Sequence, residues 1–321
     1  MKKETGTAQF IEIAKASARL SKVIEPTPLR LSNMFSDDDT LVYYKMENLN
    51  PTGSFKLRGA ANKLLSMSDD QRKKGVVTAS TGNHGAGIGY MCKKLGSKAT
   101  VFTPDDVSQA KYDGMISLGI NVVKTAGDPI NGEIAAREYA AENNIPFVSP
   151  YNDVDIVAGQ GTIGFELFAD VQDLDGVFVS LGGGGLMSGI AIAMANLSKK
   201  TKIIACSPTN SKVMMMSIAA GEILDLPSEP TLSDGTAGGV EKGTITFEYC
   251  RDYVDEYIEV SEQEIASALG LFIEDSHCIG EGAVGTALAG YLQQKSKWQG
   301  KKVAIIVCGG NIARETLKQI L

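Results

Sequence analysis

The sequence predicts an α/β protein with mainly parallel sheets, and three observations predict it. Short β-branched runs recur along the 321 residues with helical stretches between them, the alternation expected of parallel sheets covered by helices. Runs such as VFVSL and VAIIV are apolar at nearly every position, as strands buried on both faces must be. Several of the strands run straight into turns of glycine and small polar residues, where open α/β sheets bind ligands.

The chain begins with MKKETGTAQFIEIAKASARL, in which Glu4, Glu12 and Lys15 interrupt any apolar core. It reads as an amphipathic helix and not as a signal peptide, which needs an apolar run of about 7–15 residues. Strands follow at LVYY (41–44), GVVTAS (75–80), ATVFT (99–103), INVVK (120–124), GVFVSL (176–181), KIIAC (202–206) and KVAIIV (302–307). Between the second and the fourth, GNHGAGIGYMCKKLG and SQAKYDGMISLG read as helices, and their close spacing suggests a separate small sheet. Residues 73–148 are therefore expected to form a small inserted lobe. Residues 1–72 and 149–321 would together build the larger one. A last helix at Arg314–Leu321 follows the final glycine turn directly, leaving no room for an appended regulatory domain.

Composition excludes several function classes. With 43% hydrophobic and 21% charged residues the chain is ordinary for a compact globular protein. A net charge of -7 and the lack of basic runs argue against nucleic-acid and membrane-surface partners. No run of about 18 apolar residues suggests a membrane span, so the expected location is the cytoplasm. Cys92, Cys206, Cys250, Cys278 and Cys308 are widely spaced and odd in number. They suggest neither a disulfide framework nor a zinc site.

Four motifs stand out. In Asn48-Leu-Asn-Pro-Thr-Gly-Ser-Phe-Lys-Leu-Arg-Gly59, Pro51 and Gly53 shape a turn, and Ser54 is a plausible N-cap for a helix whose first turn holds Lys56. A lysine beside the positive end of a helix dipole is mildly unfavourable. Taken alone, it still reads as an exposed surface residue. The second motif, Ser180-Leu-Gly-Gly-Gly-Gly-Leu-Met-Ser-Gly189, joins an apolar strand to a helix. Glycines that let N–H groups approach closely, followed by a helix N-terminus, make a phosphate cradle. It has neither the Gly-Lys-Ser/Thr ending of a nucleotide loop nor GxGxxG spacing. The third, Ala79-Ser-Thr-Gly-Asn-His-Gly85, crowds polar groups where a helix opens, enough to cap the helix and also hold a carboxylate. The fourth, Val307-Cys-Gly-Gly-Asn-Ile312, sits at the carboxyl end of a strand, where Cys308 alone would read as a buried thiol.

Together, in this order and over most of the chain, the four motifs resemble the fold type II pyridoxal-phosphate (PLP) enzymes, and within them the threonine/serine dehydratase and serine racemase group. The resemblance implies a two-lobed fold like the β subunit of tryptophan synthase, PLP as cofactor, and a homodimer. It also implies that Lys56 of Ser54-Phe-Lys-x-Arg-Gly59 carries the cofactor as an imine and acts as catalytic base. Gly182, Gly183, Gly184, Gly185 and Leu186 would bind its phosphate, Asn83 its 3-hydroxyl, and Phe55 would pack beside the ring. Ser80, Thr81, Gly82 and His84 would surround the substrate carboxylate. Cys308 would face the pyridine nitrogen, and Glu281 and Gly239 would lie near the ring.

That set implies removal of water and ammonia from a small β-hydroxy amino acid such as L-threonine or L-serine, giving a 2-keto acid. A neutral thiol titrating near ~8.5 cannot hold a ring nitrogen protonated as a carboxylate does, which favours prompt expulsion of a β-hydroxyl. Thr81 stands where racemases of this group carry a serine and many dehydratases an alanine, so racemisation is the alternative, with hydroxyaspartate another possible substrate. A metabolite-sensing binder on the same fold is the non-enzymatic alternative. Where metal-dependent members carry acidic residues, this chain reads Cys206-Ser-Pro-Thr-Asn-Ser-Lys-Val213, so no metal site is expected there.

Overall fold

The computed structural model describes residues 2–80, 82–105, 107, 109–126 and 129–320. Two sheets organise them. The larger runs in the order β1 (Leu29–Leu31), β2 (Leu41–Lys45), β9 (Lys302–Ile306), β6 (Gly176–Ser180), β7 (Lys202–Pro208) and β8 (Glu256–Val260). Only β1 is antiparallel, pairing Leu29 with Lys45; every other neighbour is parallel. The smaller sheet is parallel throughout, with β3 (Val76–Ala79), β4 (Ala99–Pro104) and β5 (Asn121–Thr125) in sequence order.

All seven strands expected from the sequence are present, because continuous apolar runs have no place except between helix layers. Val177, Phe178 and Val179 of β6 and Val303, Ala304 and Ile305 of β9 are fully buried. Two further strands escape the pattern. β1 is three residues long, and β8, Glu-Tyr-Ile-Glu-Val, carries two acidic residues, as an edge strand does.

The helices Lys2–Leu20, Lys56–Ser66, Val154–Asp170 and Gly185–Leu197 pack against one another, while Glu262–Ser276 and Gly282–Gln293 form another pair. On the smaller sheet, Val101 joins the core containing Ile88 and Met91 of helix Asn83–Leu95. Val77 and Phe102 instead meet Ala136 and Ala140 of helix Pro129–Glu142. No described helix is long and apolar enough to cross a membrane.

Strand order decides where a ligand can sit. From the interior position of β6 the chain proceeds outward through β7 and β8, then returns so that β9 inserts between β2 and β6. Neighbouring crossovers diverge at such a point, leaving a crevice beyond the carboxyl ends of the strands. The turns after β3, β6 and β9 all reach it.

Candidate active site

A cavity of about 1180 Å³ occupies this crevice and is lined by residues from all four motifs. Helices Lys56–Ser66, Asn83–Leu95 and Gly185–Leu197 begin at its wall. Three helix N-termini, each carrying a partial positive charge, suit an anionic ligand.

Ser54 does not cap the lysine helix. Phe55 holds the N-cap position without a side-chain cap, while Ser54 forms an antiparallel bridge to Gly309. Phe55 N–H donates to Cys308 O (2.9 Å) and Gly310 N–H to Gly53 O (2.9 Å). Main-chain pairing thus fastens the lysine turn to the thiol turn. Lys56 is half-buried, donates to Pro150 O (2.9 Å), and lies 5.2 Å from the Phe55 ring centre. Burial lowers its pKa to about 8, against the opposing pull of Glu281 and Cys308.

Arg58 points away from the cavity into a buried ionic cluster. It binds Glu47 at 2.7 and 2.8 Å and Glu166 at 2.6 and 2.8 Å, and Lys45 also reaches Glu166 at 2.6 Å. Glu47 is fully buried, and although desolvation opposes its charge, Arg58 outweighs it and lowers the carboxyl pKa. Two residues beyond the lysine, the helix is clamped from both sides.

The glycine loop is packed from behind. A β-carbon on Gly183 would lie 2.7 Å from the Tyr151 ring; Gly184 has φ +84°, and a β-carbon there would meet Cys250 Sγ and Thr246 Cβ at 3.0 Å. Thr246 Oγ1 donates to Gly183 O (2.7 Å), which turns the Gly184 N–H to the opposite side of the planar peptide. The first N–H to close a helical bond is that of Ser188, onto Gly184 O (2.8 Å). The preceding N–H groups of the turn are left for a ligand.

At the third motif the structure shows the capping reading. Ser80 Oγ accepts from Gly82 and Gly85 N–H (3.1 and 3.0 Å), capping the helix. His84 is buried; its Nε2 faces Val148 O (3.3 Å), so that nitrogen carries the proton and Nδ1 is a buried acceptor without a partner among the described residues. Burial, and then the charge of Lys56, lower the ring's pKa to about 3. Thr81 lies outside the described residues.

Glu281 brings the remaining groups together. Its carboxylate is buried, accepts from Asn83 Nδ2 (3.0 and 3.3 Å), and lies 3.7 Å from Cys308 Sγ. Burial raises its pKa, against the Asn83 hydrogen bond. Cys308 Sγ also receives Ser180 Oγ at 3.7 Å, and burial followed by Glu281 pushes the thiol pKa well above its ordinary value. It is held neutral.

Residues 20–309 match the family described as pyridoxal-phosphate dependent enzyme. The chain belongs to that family. Among PLP-dependent relatives, an L-threonine ammonia-lyase of Thermotoga maritima is 38% identical over 312 residues, covering 97% of this chain and 77% of that protein. An L-threo-3-hydroxyaspartate ammonia-lyase of Saccharomyces cerevisiae is 35% identical over 94% of this chain and 92% of its own. The solved structure of a serine racemase from Dictyostelium discoideum superposes with a TM-score of 0.87 at 33% identity, covering 95% of this chain and 98% of that one. The architecture is accordingly that of the fold type II PLP enzymes.

The residues present fit PLP. The glycine turn offers unpaired N–H groups to a phosphate, Lys56 offers a lysine amine at the same cavity, and the partnerless Nδ1 of His84 lies in its wall. Phe55, Asn83, Leu186, Glu281 and Cys308 line the cavity, as do Ser80 and Gly82. Gly239 lines it too, although a β-carbon there would meet nothing within 4 Å.

Several lining residues were given no role from the sequence. Tyr151 backs the glycine loop, Asn311 reaches Asn83, and Lys111 Nζ pairs with Asp234 Oδ2 (3.1 Å) across the cavity. An Asn directly after the two glycines of the fourth motif was the visible signal for Asn311. Among the described residues no cluster of metal-binding side chains occurs, and Lys212 pairs with Glu259 Oε1 (2.7 Å).

The lysine pKa gives a pH dependence with a definite sign. Only the neutral amine attacks an aldehyde, and its fraction grows as pH rises through about 8. Capture of PLP by apoenzyme, followed by stopped-flow absorbance, is expected to accelerate about tenfold from pH 7 to pH 9 and then level off. A rate still climbing toward pH 10.5 would mean an unperturbed lysine.

Proposed function

We propose that this PLP enzyme is an ammonia-lyase that eliminates water from L-threonine, L-serine or a similar β-hydroxy amino acid, giving a 2-keto acid and ammonia. The observation that carries the reading is the Lys56 amine placed in one cavity with a phosphate cradle and a neutral thiol. The names of the ammonia-lyase relatives support it.

Bound PLP supplies an electron sink for the bond being broken at the substrate Cα. The chain's own groups do the rest. The glycine turn holds the phosphate, and Asn83 holds the ring's 3-oxygen. The N-terminus of helix Asn83–Leu95, with the Ser80 hydroxyl, the turn at Gly82 and the main-chain N–H of His84, receives the substrate carboxylate. Pro150 O orients Lys56 Nζ (2.9 Å), whose lowered pKa suits it to take the Cα proton near neutral pH. If the pyridine nitrogen of bound PLP lies toward Cys308, the thiol would meet it without charge and could not hold it protonated as a carboxylate would. That environment would favour loss of the β-hydroxyl. For threonine the product is 2-oxobutanoate, and for serine pyruvate.

The test is a substrate panel. Purified holoenzyme is given L-threonine, L-serine and 3-hydroxyaspartate, with keto acid measured and recovered serine resolved by chirality. Keto acid and ammonia in equal amounts are expected from at least one substrate. D-serine without keto acid would replace this reading by racemisation, and no turnover of any of them would support a binder.

A further inference from the structure

The PLP reading, on which this inference rests, leaves open what Asn83 presents to the ring's 3-oxygen. A carboxamide carries two N–H donors on one side and an acceptor on the other, and its neighbours decide which way it turns. Here the decision starts at a backbone carbonyl in a different turn. Thr52 O can only accept, and Asn311 Nδ2 donates to it at 2.9 Å. The second hydrogen of the same nitrogen goes to Asn83 Oδ1 at 2.7 Å.

With its oxygen taken, Asn83 turns Nδ2 toward the Glu281 carboxylate at 3.0 and 3.3 Å. Reversing Asn311 would set oxygen against the Thr52 carbonyl, and reversing Asn83 would set N–H against N–H. Reversing Asn311 loses both bonds from its Nδ2, and reversing Asn83 loses the bond from Asn311 together with its own to Glu281. Gly53 makes the arrangement possible: it has φ +73°, and a β-carbon there would sit 2.5 Å from Asn311 Oδ1. The two oxygens of one carboxylate lie close enough together for a single N–H to reach both, which frees the other Asn83 hydrogen for the cavity that the residue lines.

We infer that Asn311 is a positioning residue: it locks Asn83 as a hydrogen-bond donor toward the cofactor's 3-oxygen, holding that oxygen in its anionic form. The proton given up by the oxygen resides on the adjoining Lys56 nitrogen.

The experiment compares wild type, Asn311→Asp and Asn311→Leu, each loaded with PLP. Loading is measured by cofactor released into alkali. Separately, the ratio of visible to near-ultraviolet absorbance reports whether the ring oxygen is ionised. Aspartate cannot donate to Thr52 O or Asn83 Oδ1, so Asn83 is free to turn its oxygen to the ring. The ratio is expected to fall about tenfold, equivalent to about 1.4 kcal/mol, and less in Asn311→Leu. In an Asn83→Ala background neither change should alter the ratio further, which a merely structural role for Asn311 does not predict. An unchanged ratio at full loading, or an equal fall without the Asn83 amide, overturns the inference. If the aspartate variant fails to load, Asn311→Leu decides by the same two comparisons. Failure of the wild type itself to take up PLP would remove the cofactor reading instead, and the loading assay reports that independently.

Discussion

Replacing Lys56 by alanine is expected to lower kcat by about 10⁴-fold or more, since one group supplies both the covalent attachment and the base. The visible absorbance of the holoenzyme should disappear with it. The two losses have a common origin in Nζ, which no neighbour can replace. His84 carries its proton on Nε2 toward Val148 O, and burial keeps its pKa near 3. Lys111 is engaged with Asp234. Phosphate binding at the glycine turn does not require the lysine, so PLP should still associate, weakly and reversibly. A Lys56→Ala protein that keeps its colour and turns over threonine would end the assignment.

The largest stability effect is expected at Arg58. Arg58→Ala leaves the fully buried Glu47 without its strongest partner and removes the bidentate contact to Glu166. Breaking one side of a buried ion pair typically costs about 3–5 kcal/mol. The expected result is a loss of that size in chemical denaturation. The double replacement Glu47→Gln with Arg58→Met should recover much of it, because no uncompensated charge is then left inside. Loss of less than about 1 kcal/mol in the single variant would show that water reaches the cluster.

The two sites differ in how far the sequence disclosed them. Lys56 was legible through its company: each neighbouring motif is local, with turn residues in fixed order at a strand end. Interior strands were legible for the same reason, since their apolar runs carry their own explanation. Arg58 was visible as part of a motif, but its partners Glu47 and Glu166, and the Lys45 that shares Glu166, come from three other elements, and no spacing links them. Ser54 was misread as a cap because its bridge to Gly309 spans most of the chain. Edge strand β8 was missed because its acidic residues mimic a loop. Glu281 looked marginal until folding set its carboxylate between Asn83 and Cys308.

The pairing of Ser54 with Gly309 also bears on how such a site can change over generations. The spacing between Lys56 and Cys308 is carried by peptide hydrogen bonds, from Phe55 N–H to Cys308 O and from Gly310 N–H to Gly53 O. Side chains at 54 and 308 contribute little to that tether. The residue at 308 can therefore be exchanged for one of different acidity without displacing the lysine. Such a scaffold separates the tuning of electron demand from the placement of reacting atoms, so new chemistry is reachable by single substitutions.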